Sequence, residues 1–181
     1  MSDPAAAIAF VTAHGAGAIE HPGGNLLDHV VRTGHLLASW GARPALVLAG
    51  ICHACYGTDG FARALIDRSQ RAALIAAIGA EAESIVYLYA SCDRAPLYAQ
   101  LGVAQSPRLR DRFEDRLVTP APEALRDFVE LTFANELDLA RVSSSFVHEH
   151  GAEIGALFAR CRPMVSAAAF AAYVEILGPD I

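Results

Sequence analysis

Residues 44–55 read Pro-Ala-Leu-Val-Leu-Ala-Gly-Ile-Cys-His-Ala-Cys. A helix over this stretch is apolar on every side, and such a helix belongs at the centre of a helical protein. Pro44 suits the first helical position, where its missing N–H is no loss. His53 is the one strongly polar side chain of the run. It must therefore be hydrogen-bonded in the core or face an internal cavity.

On the N-terminal side of this stretch, Asn25 is placed to cap a helix running to Trp40 and ended by Gly41. Successive residues of a helix turn about 100°. Leu26, Val30, Thr33, Leu37 and Trp40 then form an apolar stripe, opposite Asp28, Arg32, His35 and Ser39. His29 falls at the stripe's edge beside Leu36 and Trp40, so it is expected inward and His35 outward. On the C-terminal side, residues 56–61, Tyr-Gly-Thr-Asp-Gly-Phe, read as a turn.

The same signals predict helices over residues 3–14, 67–79, 80–91, 122–142, 146–161 and 165–177. Asp3 caps the first, Asp67 or Ser69 the second, and Pro163 separates the last two. Residues 21–24 form a glycine-rich bend. Residues 93–122 are the least regular, with a short β-ribbon at 112–118. No internal repeat is present. The expectation is one all-α domain over residues 1–181, a compact bundle of seven to eight helices.

Composition narrows the function classes. Apolar residues make up 54% and charged residues 19%, and the net charge is −6 with all 14 basic residues being Arg. An acidic chain without a basic run argues against nucleic acid or an anionic membrane as the main partner. A small-molecule substrate stays open, and no nucleotide-cofactor motif is present. No stretch approaches the roughly 20 apolar residues of a membrane span. The N-terminus lacks the basic and apolar regions of a secretion leader. Cys52 and Cys55 lie close together, whereas Cys92 and Cys161 stand alone. Without a second pair at zinc-site spacing they read as buried, reduced thiols of a cytoplasmic protein. The Ala-rich run at 166–173 suits close helix packing, and a homodimer interface is one use for it.

The helix over 122–142 carries the remaining candidates. Leu125, Phe128, Val129, Thr132 and Leu139 set its inner face, and Arg126, Asp127, Glu130 and Arg141 its outer one. Asn135 and Glu136 fall on the flanks of the inner face and Asp138 nearer the outside. Inward polar groups need partners, because burying one unpaired costs about 1–3 kcal/mol. Three helices thus send metal-capable or acid–base groups inward.

This pattern resembles the HD-domain superfamily, an all-α fold of metal-dependent phosphohydrolases that also contains iron oxygenases. His29 matches the superfamily's first His, His53-Ala54 its His-Asp pair, and Ala134-Asn135-Glu136-Leu137 its later Ala-Asp-x-Leu segment. Several strings further resemble an uncharacterised bacterial family within it: Leu27-Asp28-His29, Leu36-Leu37-Ala38-Ser39-Trp40-Gly41-Ala42, His53-Ala54-Cys55-Tyr56-Gly57-Thr58, Ser91-Cys92-Asp93-Arg94 and Ala134-Asn135-Glu136-Leu137-Asp138. Together they cover about residues 20–142. Two departures stand out, since Ala54 and Asn135 occupy positions where the superfamily has Asp ligands. Their loss weakens binding of hard divalent metals and argues against a two-metal site.

Three functions follow from the resemblance and the inward residues. In the first, one divalent ion (Fe, Zn or Mn) is held by His29 and His53 with Asn135, Glu136 or Asp138. It serves a phosphoester hydrolase or, alternatively, an oxygenase, with His21 and Tyr56 flanking the site. In the second, His29 or His53 acts as a metal-free acid or base tuned by Glu136. Tyr56, Thr58, Asp93 and Arg94 then contact the substrate, with Arg94 clamping an anion or pairing with Asp93. In the third, the pocket binds without catalysing. His148 and His150, two apart on a helix, do not face together and are expected at the surface.

Overall fold

Side-chain caps start several of the helices. Asp3 accepts the Ala5 N–H at the head of α1 (Pro4–Ala13). Asn25 and Asp28 form a reciprocal capping box at the head of α2 (Leu26–Ser39). Pro44 opens α3 (Pro44–Cys52). Asp67 caps a 3-10 turn that leads into α4 (Arg71–Ile78), and Gly79 separates it from α5 (Ala80–Ser91). Pro122 opens α7 (Pro122–Val142), Ser143 caps α8 (Ser144–Arg160) and Ser166 caps α9 (Ala167–Leu177). The computed structural model describes residues 3–178. Among them the fold is helical, with nine α-helices and two small antiparallel hairpins.

The ninth helix and one hairpin depart from the sequence expectation. Helix α6 (Arg94–Tyr98) is a five-residue helix inside the stretch read as irregular, where Pro96 hides the helical pattern. The glycine-rich bend closes a hairpin of β1 (Glu20–His21) and β2 (Gly24–Asn25). The second hairpin pairs β3 (Leu109–Asp111) with β4 (Arg116–Val118). It begins three residues before the predicted ribbon because Asp111 accepts the Phe113 and Glu114 N–H groups and turns the chain there.

Helix α3 ends sooner than predicted. His53 is its C-cap, and Ala54 and Cys55 already lie in a turn. Gly57 (φ +68°) makes this turn possible. A Cβ there would sit 2.8 Å from the Ala62 carbonyl oxygen, so any other residue forces the loop open.

Helix α3 lies among α1, α2, α5 and α7, as its uniform apolarity requires. It meets α2 through Gly34 and Gly50, where a Cβ on Gly34 would stand 2.5 Å from Ile51 Cγ1. Helix α7 is enclosed by α2, α3, α5, α8 and α9. Phe133 on it stacks on Phe158 with ring centroids 3.7 Å apart. This enclosure corrects half of the expected outer face of α7, where Arg126 and Arg141 are exposed as expected. Asp127 and Glu130 are buried, the first paired with Arg43 and the second accepting the Ser166 N–H and hydroxyl. Burial raises the Asp127 pKa, with the Arg43 pairing opposing it. All four cysteines are buried and free. Among the described residues, no helix is long and apolar enough to cross a membrane.

Candidate functional site

The capping box that starts α2 and the close α2–α3 crossing bring His29 and His53 together, with ring centroids 5.2 Å apart at 82°. His29 is 1% exposed and His53 3%, as the helix geometry predicts, and His35 is exposed. His21, on the small hairpin, stacks on His29 with centroids 4.3 Å apart. Helix α7 closes the group from the other side.

Each of the two helical histidines is held from behind. The His29 Nδ1–H donates to Asp138 Oδ2 at 2.7 Å. Asp138 also accepts from Arg32 Nε at 2.7 Å and Nη2 at 3.0 Å. Asp138 is thus 2% exposed, which corrects the outward placement expected for it, because Arg32 of α2 reaches across to cover it. Burial works against its charge, but the bonds from His29 and Arg32 win and hold its carboxyl below the ordinary range. The His53 Nδ1–H donates to the Gly50 carbonyl at 2.7 Å, leaving Nε2 as its free ring nitrogen. Burial, then the neighbouring His29, pushes the His53 pKa down to about 3. The ring is therefore neutral, with a lone pair on Nε2. The same two causes bring His21 to about 4.

Asn135 and Glu136 find their partners within this group. Asn135 Nδ2 donates to Glu136 Oε1 at 3.1 Å, which turns its Oδ1 toward His29 Nε2, also at 3.1 Å. Arg94 Nη1 reaches the same Glu136 oxygen at 3.3 Å, and its guanidinium lies 4.9 Å over the Tyr89 ring. Arg94 therefore pairs across the fold with Glu136 rather than with its neighbour Asp93. The Arg94 backbone N–H donates to the Asp59 carboxylate, which ties the 56–61 loop to α6. That loop is itself closed by hydrogen bonds between Thr58 and Phe61.

These side chains form the floor of a cavity of about 590 Å³, within the usual range for small-molecule sites. The floor holds His21, His29, His53, Asn135, Glu136 and Arg94, with Thr58 beside them. Leu26, Phe61, Leu139, Phe146, Ile154 and Leu157 make the walls largely apolar, with Glu20, His150, Glu153 and Arg160 also on them. Two residues expected at the site lie elsewhere. Tyr56 is buried on the far side of its turn, where its hydroxyl donates to Glu83 Oε1 at 2.8 Å. Asp93 does not line the cavity and is held by its backbone, whose N–H donates to the Arg110 carbonyl. Asp138 stands behind His29 rather than in the wall. Sequence reasoning missed Tyr98 and Arg160, which also line the cavity. The short α6 that carries Tyr98 gives no periodic signal, and Arg160 reads as an ordinary cation of a helix's last turn. His150 is exposed as expected, yet it lines the cavity.

Among the described residues, no three His, Cys, Asp or Glu side chains are gathered as a metal site. The groups that share the cavity floor are the imidazoles of His21, His29 and His53, the Asn135 amide and the Glu136 carboxylate, with Asp138 one hydrogen bond behind His29. Fold and site together define a helical protein with a polar-floored internal cavity. Residues 10–94 match a family described as a domain of unknown function (DUF6817). The match includes His21, His29, His53, Thr58 and Arg94, but not Asn135, Glu136 or Asp138. No curated protein and no solved structure matches the chain.

Proposed function

We infer that the chain is a divergent metal-dependent enzyme of the HD type, hydrolysing a phosphoester of a small molecule in this cavity. What carries the reading is the paired anchoring of His29 and His53. Each imidazole fixes Nδ1 against a buried acceptor, Asp138 or the Gly50 carbonyl, as metal-ligating histidines do. Asn135 is oriented by Glu136 so that its Oδ1 faces His29 Nε2. A single ion would be held by His29 Nε2 and Asn135 Oδ1, which lie 3.1 Å apart, together with the free Nε2 of His53, whose ring centroid is 5.2 Å from that of His29. Imidazole and amide donors favour zinc or iron above manganese, and all three above magnesium. Such an ion would supply a Lewis acid and an activated water near neutral pH.

The chain's own residues have separate tasks. Arg94, held by Glu136, sets a positive charge at the floor for an anionic group. Thr58 and Phe61 form one lip of the cavity, and the apolar walls limit water around the reacting groups. His53 stays neutral and offers a lone pair. The four buried free thiols support a reducing, cytoplasmic setting.

A second reading has a specific observation behind it. The His29 ring lies between two acceptors, Asp138 Oδ2 and Asn135 Oδ1, which a doubly protonated imidazolium would satisfy without any metal. Elemental analysis of protein purified without a chelating tag separates the two. Stoichiometric Zn, Mn or Fe, lost in His53→Ala, is expected on the first reading, together with hydrolysis of a chromogenic phosphoester. Iron with oxygen consumption instead of phosphate release would move the assignment to an oxygenase. Substoichiometric metal unchanged by His53→Ala would overturn the metal-dependent reading.

A further inference from the structure

We propose that the cavity's ligand is an anionic amphiphile, with its carboxylate or phosphate head at Arg94 and its apolar body along α7 and α8. This rests on the enzymatic reading for its site but adds the substrate class. Arg94 is a mostly buried cation with an unmet donor. The Arg94 side chain is 14% exposed, and its one side-chain ion pair is to Glu136 at 3.3 Å. Its Nε is buried without a hydrogen-bond partner. A guanidinium carries five donors, and an unmet buried donor costs about 1–3 kcal/mol. The part of the guanidinium that faces the cavity is best matched by an anion, which offers several acceptors and a compensating charge where a neutral hydroxyl offers one acceptor and no charge.

Neighbouring groups point the same way. The Tyr98 hydroxyl, one helical turn from Arg94, is also buried without a partner. Thr132 lies close enough to influence it, but its hydroxyl donates to the Phe128 carbonyl and completes no bond to the phenol. Arg160 lines the same cavity. Its Nε and Nη2 are spent on the Leu101 and Tyr98 carbonyls, which fixes a second guanidinium at the wall. The opposing charges are Glu136 at the floor and Glu20 and Glu153, which are exposed. Water and salt screen the exposed pair, whereas the buried guanidinium is screened much less.

The apolar body is required by the rest of the cavity. Leu139, Phe146, Ile154 and Leu157 give the cavity an apolar side contributed by α7 and α8. A bare inorganic anion would leave that side wet. The head chemistry is common to carboxylates and phosphates, so both are tested.

The experiment is calorimetric titration of the full chain, in EDTA, with octanoate, octyl phosphate, octanol and inorganic phosphate. At least one of the two anionic amphiphiles should bind, and which one binds identifies the head. Octanol and inorganic phosphate should each bind about tenfold or more weakly. Tyr98→Phe removes only a hydroxyl and keeps the ring. It should weaken the anionic amphiphile several-fold and leave octanol unchanged, while Arg94→Gln should abolish the preference for the anion. Octanol equal to octanoate, full competition by inorganic phosphate, or no binding by either anionic amphiphile would each overturn the proposal. Metal content is measured separately, so a chain that holds metal but ignores amphiphiles sinks this inference alone. One that binds amphiphiles without metal sinks only the metal-dependent reading.

Discussion

Asp138 lies 109 positions from His29 in the chain, and its Oδ2 stands 2.7 Å from His29 Nδ1. The same carboxylate holds Arg32 through two further bonds, so one buried anion fixes the orientation of a site histidine and closes α2 onto α7.

Asp138→Asn keeps the shape of this junction and removes its charge. A partner stripped from a buried pair typically costs 3–5 kcal/mol. Arg32 is 32% exposed, so solvent recovers part of that, and a loss of about 3 kcal/mol is expected in urea unfolding. The depressed Asp138 pKa adds a pH signature. Its contribution is complete above the unfolded carboxylate value of about 4 and is lost as pH falls through the lower folded value. The variant should lack this part of the acid limb. An acid limb identical to that of the parent chain would contradict the assignment.

Gly34→Ala tests the crossing that sets the two histidines. The added methyl would lie 2.5 Å from Ile51 Cγ1, an overpacking that costs about 1–3 kcal/mol. Ile51→Val in the same chain removes the terminal methyl rather than Cγ1 itself, and should restore only part of the loss. Thermal unfolding of the single and double variants measures both effects.

Tyr56→Phe separates a structural role from a catalytic one. The hydroxyl is spent on Glu83, which Arg71 also holds at 2.8 Å. Burial, then Glu83, raises the Tyr56 pKa. Stability should fall by about 1 kcal/mol, and turnover and ligand binding should not change. A lost turnover in a folded Tyr56→Phe chain would place Tyr56 back in the site.

Thiol titration checks the core. Burial pushes Cys92 up to about 12 and Cys161 to about 11, and bonding to Cys55, then burial, raises Cys52. A thiol at such values is not a nucleophile at pH 8. These three, and Cys55 through its burial alone, should not react with a disulfide reagent in the native chain, and all four should react in denaturant.

What could be read in advance follows from where each signal resides. Asn25 with Asp28, Asp3, Pro44 and Pro122 announce helix starts through local chemistry, so those boundaries hold almost to the residue. The inward turn of His29 and His53 is a matter of one helix's own geometry and was equally legible. Asp138, Asp127 and Glu130 were not, because a helical wheel treats a helix as having one buried side. Helix α7 is covered on more than one side along its middle, and the groups that make its buried acids tolerable, Arg32, Arg43 and Ser166, come from distant segments. Helix α6 fails for the opposite reason, since five residues with Pro96 among them give no period to detect. Arg94 could be named as a cation, but its choice of Glu136 over Asp93 depends on tertiary packing.

The split of the cavity lining between an early segment holding His21 to Arg94 and a late one holding Asn135 to Arg160 also governs when the site exists. During synthesis the histidines emerge long before Asp138, and closing so wide a separation is the slow, entropically costly kind of contact. The cavity is therefore complete only once the α2–α7 junction has formed. A ligand that enters it binds only the folded chain and so stabilises the whole fold by an amount that grows with the logarithm of ligand concentration above its Kd. The melting temperature of the intact protein therefore serves as an assay for its unknown ligand.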